Sequence, residues 1–184
     1  MTDTSTVPNP VIDTEEQQQL RKVAYDLGSR YGLEYMRSKS DAGETTDELW
    51  SEAGKLGLLG VNLPEEYGGG GAGMTELAIV EEELSAAGAG LLMMVVSPAI
   101  NGTIISRFGT QEQKERWLPG IASGETITSF AITEPDAGSN SHAITTTARR
   151  DGSDFLISGQ KTYISGVDQA DAILVVARLE GATS

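Results

Sequence analysis

The residues best suited to chemistry form one run, Phe130-Ala131-Ile132-Thr133-Glu134-Pro135-Asp136-Ala137-Gly138-Ser139-Asn140. An apolar stretch ends in the Thr133 hydroxyl, and a proline turn then leads to the Ser139 hydroxyl, so several donors can surround one small volume. Such donors suit the polar edge of a planar heterocycle, whose ring nitrogens and carbonyls need fixed hydrogen-bond partners rather than charges. On spacing alone, an ordinary polar loop remains the simpler interpretation.

Two other groups of residues are weaker candidates. The glycine run over residues 67–71 could bring backbone amides close to an anion, but it matches neither the dinucleotide-binding nor the Walker spacing, so a turn between helices is favoured. Ser139, Ser141 and His142 could suggest hydrolysis, yet neighbours on one loop seldom provide a nucleophile, a base and a carboxylate in line. We therefore assign no catalytic residue from these groups.

Composition excludes several classes of function. The chain has 184 residues, with 13 Lys and Arg against 27 Asp and Glu, a net charge of −14 that repels nucleic acid and anionic membrane surfaces. Zero cysteines and one histidine exclude disulfides and thiolate chemistry and predict no metal site. No segment approaches the roughly 18 apolar residues of a membrane helix, and a cytoplasmic location is expected.

The first part of the chain has apolar residues at helical spacing. In the third predicted helix most of the acidic side chains fall opposite the apolar ones, which predicts a solvent-exposed acidic face. The fourth is apolar nearly all round, which suits either core packing or the lining of a pocket. The predicted helices cover about residues 14–38, 45–57, 75–88, 91–108 and 110–118.

Beyond residue 125 the pattern changes to β-branched residues alternating with small and polar ones. Asp151-Gly152 predicts a tight hairpin between two of the strands, and an antiparallel sheet is expected to begin here. The predicted domains are a flexible N-terminus over 1–13, a helical domain over 14–125 and a partial β-domain over 126–184. The predicted strands cover residues 126–133, 143–150, 155–164 and 172–177.

Five separated motifs carry a family resemblance. The run Ala131-Ile132-Thr133-Glu134-Pro135-Asp136-Ala137-Gly138-Ser139 resembles the flavin-contacting signature of the acyl-CoA dehydrogenase family. The other four agree with this family in order and approximate spacing, and the resemblance extends from about residue 15 to 180. They are Leu63-Pro64-Glu65-Glu66-Tyr67-Gly68-Gly69, residues 108–119 from Phe-Gly-Thr-Gln to Trp-Leu-Pro, Gly159-Gln160-Lys161, and Tyr163-Ile164-Ser165 with Ala170-Asp171.

The resemblance implies an α+β multidomain enzyme with an N-terminal helical domain, a middle β-domain and a C-terminal four-helix domain. This chain corresponds to the first domain and part of the second, without the C-terminal one. Family members bind FAD, remove the α-proton of an acyl-CoA with a carboxylate, and pass the β-hydrogen to the flavin as hydride, which gives the trans-2-enoyl-CoA. They usually act as homotetramers, take part in fatty acid β-oxidation and deliver electrons to an electron-transfer flavoprotein.

The resemblance also implies roles for particular residues. Phe130, Ala131, Ile132 and Thr133 would line the flavin ring, and the Thr133 hydroxyl would bond its pyrimidine side. Ser139 would contact both FAD and the CoA part of the substrate.

A second group, Tyr163, Ile164 and Ser165, would pack against the flavin from the next strands. Glu134 matches a structural residue of the motif, and no residue here matches the family's catalytic base.

Three residues depart from the family pattern. Asn140 stands where Asp is usual, Tyr163 where Trp is usual and Ser165 where Thr is usual, which affects expected flavin affinity and potential. The chain could instead be a non-catalytic fragment or pseudo-enzyme that serves as an assembly module. An acyl-CoA oxidase is a further alternative, because access of oxygen to the flavin is not set by these motifs.

Overall fold

The computed structural model describes residues 13–181 as a set of helices followed by two small sheets. The predicted flexible N-terminal segment lies outside the described residues except for Asp13. No helix within residues 13–181 is both long enough and apolar enough to cross a membrane. The helices are α1 (Glu15–Ala42), α2 (Asp47–Lys55), α3 (Met74–Ala86), α4 (Leu92–Met94), a π-helix (Val95–Gly102), α5 (Thr103–Phe108) and α6 (Gln111–Ser123).

Helix α1 begins at the predicted cap. The Thr14 side chain accepts a hydrogen bond from the Gln17 amide, and the Gln17 side chain accepts one from the Thr14 amide, so two otherwise unpaired N–H groups are satisfied. Gly32 has φ +67° and bends the helix, a conformation that costs a residue with a Cβ more than it costs glycine. The buried face of α1, which includes Ala24 and Leu27, belongs to a core cluster that also contains Leu84 of α3.

The acidic run on α3 is not uniformly exposed. Arg21 of α1 donates to Glu82 at 2.6 Å and to Glu83 at 2.7 Å, so these two carboxylates join the helices. Glu81 is half-buried, and its Oε1 atom is fully buried with no hydrogen-bond partner among the described residues. Burial raises the pKa of Glu81 to about 7, against a weaker opposing effect of the Leu91 amide. The predicted solvent-exposed face is therefore wrong for Glu81.

Replacing Glu81 with Gln is expected to stabilise the protein at pH 8 by about 1–2 kcal/mol, after allowance for the side chain's partial exposure. Because the pKa in the folded state is raised above its value in the unfolded chain, folding becomes less favourable as pH rises from about 4.5 to 7. Urea unfolding of both proteins at pH 8 and pH 4.5 measures this difference. A gain of equal size at both pH values would contradict the burial of the charge.

The glycine run forms a turn that is closed by its own backbone. The amides of Gly69, Gly70 and Gly71 donate to Pro64, Gly60 and Leu63, at 3.1, 2.9 and 2.8 Å. Gly68 donates to Glu65, so each of the four consecutive glycine amides already has an acceptor. The run is therefore the turn that the sequence favoured, and its amides are not free to bind a phosphate.

The apolar segment after residue 91 forms a continuous helical rod whose central part has π-helical geometry around Pro98. Helix α6 begins at the predicted cap, Thr110, but continues through Pro119 to Ser123. The predicted end before Pro119 was wrong because Leu118, Ile121 and Ala122 all bury against the core. That burial outweighs the loss of one helical hydrogen bond.

The strands are β1 (Thr128–Ala131), β2 (Thr147–Asp151), β3 (Asp154–Ser158), β4 (Ala172–Val175) and β5 (Arg178–Leu179). β2 and β3 form the predicted antiparallel hairpin, in which Asp151 pairs with Asp154 across the turn. The expected antiparallel arrangement is wrong for the other two pairs, β1 with β4 and β2 with β5, which are parallel. Long connections between these partners allow the chain to return in the same direction.

Candidate functional site

The predicted flavin-lining run begins on β1. Phe130 and Ala131 pair with Leu174 and Val175 of β4, and Ala131 is only 3% exposed. The strand ends there, so Ile132 and Thr133 follow as half-buried residues outside the sheet. The strand predicted over 126–133 is therefore shorter, and its last two residues are not paired in the sheet.

The proline turn comes next. Glu134 and Ala137 exchange backbone hydrogen bonds of 3.0 and 3.2 Å, which closes the turn around Pro135 and Asp136. Ser139 is exposed, beyond the turn. The structure thus leaves Ser139 exposed to solvent at the end of the predicted run.

The second predicted run, residues 163–165, lies in a loop and not in a strand. β3 ends at Ser158, whereas the strand was predicted to reach Ile164. The physical reason is that the next residues bond to the β1 side: the Thr162 amide donates to the Thr133 carbonyl at 2.9 Å. The Ser129 hydroxyl also donates to the Ser165 carbonyl at 2.8 Å, so the two predicted runs are brought together.

Tyr163 has an unusual backbone and an exposed ring. Its φ of +58° is the only positive value of a non-glycine residue among residues 13–181, and its side chain is 93% exposed. A left-handed tyrosine costs on the order of 1–3 kcal/mol, and such residues concentrate at ligand sites. Ile164 and Ser165 beside it are half-buried.

The two predicted runs, residues 130–133 and 163–165, meet at what we call the junction. The groups around the junction fit the polar and aromatic faces of a flavin. The Thr133 amide has no acceptor among the described residues, and the Thr162 hydroxyl oxygen is buried without a partner there. Together with the exposed Tyr163 ring, they provide hydrogen-bonding groups next to an aromatic surface. This combination supports the identity of the predicted cofactor.

Behind the junction lies a buried ion pair. Glu134 Oε1 accepts from Lys161 Nζ and from the Thr146 amide, both at 2.9 Å, while Oε2 accepts from the Thr145 amide and hydroxyl at 2.6 and 2.8 Å. Hydrogen bonds from Thr146, Thr145 and Lys161 hold the pKa of the Glu134 carboxyl well below its usual range. The ionised, fully bonded carboxylate is suited to a structural role, as the sequence resemblance implied.

The π-helix is fixed to β1 by a buried polar cluster. Asn101 Nδ2 donates to the Thr128 hydroxyl and to the Ser129 carbonyl, both at 3.0 Å. The Thr128 amide donates to the Ser97 hydroxyl at 3.0 Å. These side chains bond backbone groups of β1 that face the helix, so the apolar helix and β1 are joined by buried hydrogen bonds.

The helical rod formed by α4, the π-helix and α5 also presents apolar groups to solvent. Leu92 is 65% exposed and Val95 is 41% exposed, whereas Met94 and Ala99 are buried. A cavity of about 340 Å³ lies beside its start, between the end of α1 and the loop that follows Tyr163. The helical segment therefore contributes both to core packing and to the lining of this cavity, and Met93 takes part in both.

Sequence reasoning missed the joint roles of Lys161, Asn101 and Ser97. Lys161 was noted only as part of a motif, and the other two were hidden in an apolar segment. The available signal was the occurrence of two polar residues four positions apart in a helix that is otherwise nearly all apolar. Polar residues in such a helix need partners, which here lie on β1.

Two parts of the chain match known protein domains. Residues 14–125 match the acyl-CoA dehydrogenase N-terminal domain, and residues 129–184 match the acyl-CoA dehydrogenase middle domain. The chain belongs to the acyl-CoA dehydrogenase family. The predicted fold class, a helical domain followed by the beginning of a β-domain, is thereby confirmed.

The chain is similar to acyl-CoA dehydrogenase FadE12 of Mycobacterium tuberculosis strain H37Rv, with 66% identity over 182 residues that cover 99% of this chain and 46% of that protein. It thus spans about half the length of that relative. The acyl-CoA dehydrogenase of Bacillus anthracis, complexed with FAD, superposes with a TM-score of 0.83 at 32% identity, over 94% of this chain and 30% of that one.

Glutaryl-CoA dehydrogenase of Mycobacterium smegmatis, in complex with FADH2, gives a TM-score of 0.83 at 31% identity, over 91% of this chain and 44% of that one. These two flavin complexes confirm FAD as the cofactor of the family.

Proposed function

We propose that this protein acts as an FAD-dependent acyl-CoA dehydrogenase that converts an acyl-CoA thioester to the trans-2-enoyl-CoA. The observation that carries the proposal is the junction of the two flavin-matching runs, made by the bonds from Thr162 to Thr133 and from Ser129 to Ser165. An apolar helix with exposed Leu92 and Val95 is attached to the same strand. β1 therefore connects the candidate flavin site to an apolar surface.

The flavin ring would rest on the first run. Phe130, Ala131, Ile132 and Thr133 would line it, with the Thr133 hydroxyl and amide directed to its pyrimidine side. Bound FAD supplies the acceptor for the β-hydrogen, which leaves the substrate as hydride. The support for these roles is the unpartnered Thr133 amide and its closeness to the second run.

Ser139 would contact FAD and the CoA portion of the substrate, which its exposure permits. The second run, Tyr163, Ile164 and Ser165, would pack against the ring from the loop.

No described carboxylate is assigned as the base that removes the α-proton. Glu134 is already bonded to four donors and neutralised by Lys161, so it cannot readily take a proton near neutral pH. We propose that the base lies outside residues 13–181, and that the functional domains are a helical one over 14–125 and a β-domain from residue 126. An electron-transfer flavoprotein as acceptor, assembly as a homo-oligomer, and a role in cytoplasmic fatty acid β-oxidation complete the proposal.

Anaerobic addition of a substrate acyl-CoA to the FAD-loaded, full-length gene product is expected to bleach the visible flavin band. The reason is that the substrate's two electrons pass to the flavin when the hydride is transferred. Short, medium, long and steroid-derived saturated thioesters are tested in turn by absorbance. The matched control is the corresponding 2-enoyl-CoA, which has no hydride to give and should leave the band unchanged.

Flavin that stays oxidised with every thioester would contradict the dehydrogenase and favour the non-catalytic alternative. Rapid return of the band in air, without an added acceptor, would instead favour an acyl-CoA oxidase.

A further inference from the structure

The Glu134–Lys161 ion pair links the proline turn to the loop that follows β3. Its side chains are 4% and 10% exposed, and the N–O distance is 2.9 Å. Removal of either charge alone leaves the other buried without its partner, which makes the pair a sensitive point of the fold. The pair also bonds the peptide group that precedes Thr133, so it affects how Thr133 is oriented.

Lys161 determines which way one peptide group points. Besides Glu134, its ammonium donates to the Ile132 carbonyl at 2.9 Å. In a trans peptide the carbonyl and the following N–H point in opposite directions, and no peptide bond among residues 13–181 is cis. The bond from Lys161 therefore directs the Thr133 N–H away from the ion pair, where no described residue accepts it.

The next peptide is fixed as well. The Thr133 carbonyl accepts a hydrogen bond from the Thr162 amide at 2.9 Å. The peptide groups before and after Thr133 are thus restrained by two consecutive residues of one loop, Lys161 and Thr162. A free backbone donor restrained on both sides is preorganised for an acceptor outside the chain. An unrestrained donor would lose conformational freedom on binding.

We propose that Lys161, held by Glu134, is a positioning residue that presents the Thr133 N–H to an acceptor atom on the pyrimidine edge of FAD. This inference rests on the proposed function, because it requires the flavin at the junction. Glu134 has two tasks: it holds the ammonium in place, and it cancels the positive charge that Lys161 would otherwise bring close to the flavin.

Four variants separate positioning from general stability. Lys161→Met removes the donor to Ile132, Lys161→Arg keeps a charged donor, and Glu134→Gln keeps the shape but leaves the lysine charge uncompensated. The double variant Glu134→Gln/Lys161→Met removes both charges, so it avoids an unpaired buried ion if the single variants fold poorly. Lys55→Met is the control, since Lys55 is exposed at the end of α2.

The first measurement uses the protein without FAD. Hydrogen exchange of the Thr162 amide reports whether Thr133 stays clamped, and we expect exchange to be about tenfold faster in Lys161→Met and in the double variant. The second measurement is FAD affinity, which we expect to fall about tenfold in the same two variants and to recover partly in Lys161→Arg. Lys55→Met should match the wild type in both measurements.

The third measurement is the midpoint potential of the bound flavin. An uncompensated lysine favours the more negative reduced flavin, so Glu134→Gln should raise the potential, whereas Lys161→Met should not. If the ion pair were purely structural, both variants would bind FAD more weakly, but their midpoint potentials would not differ in this way.

Tight FAD binding and an unchanged Thr162 exchange rate in both Lys161→Met and the double variant would overturn the positioning role and leave the proposed function intact. Failure of the full-length wild-type gene product to bind FAD would overturn the proposed function and this inference together.

Discussion

Replacing Gly69 with Ala is expected to destabilise the protein by about 3 kcal/mol, because the new methyl group has no space. A Cβ at this position would lie 2.2 Å from the Leu63 carbonyl oxygen and 2.5 Å from the Leu63 carbonyl carbon. These are backbone atoms, and the Leu63 carbonyl also accepts from the Gly71 amide at 2.8 Å. The clash must therefore be relieved by opening the turn, as measured by the free energy of unfolding in urea.

Gly138→Ala is the matched control, since a Cβ there would meet nothing within 4 Å. We expect its free energy of unfolding to stay within about 0.5 kcal/mol of the wild-type value. Similar losses in both variants would contradict the close approach at Gly69.

Replacing Asn101 with Leu is expected to cost about 2–3 kcal/mol and to weaken FAD binding. Asn101 is fully buried, and its side-chain amide bonds the Thr128 hydroxyl and the Ser129 carbonyl. Leucine leaves the Ser129 carbonyl without this donor in a region closed to water. The lost bonds also detach the start of β1 from the π-helix, so the flavin-facing end of the strand becomes less well fixed.

A double-mutant cycle with Thr128→Val tests the contact itself. The valine removes the acceptor of one Asn101 bond, so the two losses should not add, and a coupling of about 1 kcal/mol is expected. Asn140→Leu is the control for the free energy of unfolding alone, because Asn140 is exposed. Strict additivity of Asn101→Leu and Thr128→Val would show that the hydrogen bond contributes nothing.

The glycine turn and β1 both pack against the same helical rod, at the neighbouring residues Gly102 and Asn101. The Leu63 side chain would also meet a Cβ placed at Gly102 of the π-helix, at 2.8 Å, so the glycine turn packs next to the rod. Asn101 joins the rod to β1. The position of the candidate flavin site therefore depends on packing that begins well away from Thr133.

The sequence alone determined the features that depend on near neighbours. Thr14 with Gln17 and Thr110 with Gln113 form the capping arrangements that their spacing allows, because all the bonded atoms lie within one helical turn. The hairpin at Asp151-Gly152 formed for the same reason. The order of five family motifs was sufficient to identify the family, since each motif is a local run of residues.

The tertiary structure decided which distant residues meet. The parallel pairing of β1 with β4 brings together residues 44 positions apart, such as Thr128 and Ala172, and nothing local specifies that direction. The sequence predicts Glu81 to be one more exposed acid in a polar run, yet the fold buries its Oε1 atom and raises its pKa.

The loop after β3 shows the same limit. Its β-branched and aromatic residues predicted a longer strand, but Thr162 gains a hydrogen bond to Thr133, and Lys161 gains bonds to both Ile132 and Glu134. A buried ammonium is stable only where it can bond an anion and other acceptors, here the Glu134 carboxylate and the Ile132 carbonyl. The positions of these two acceptors are set by the fold of β1 and the proline turn. Residue types thus indicated a flavin site, while long-range hydrogen bonds and burial decided how it is assembled.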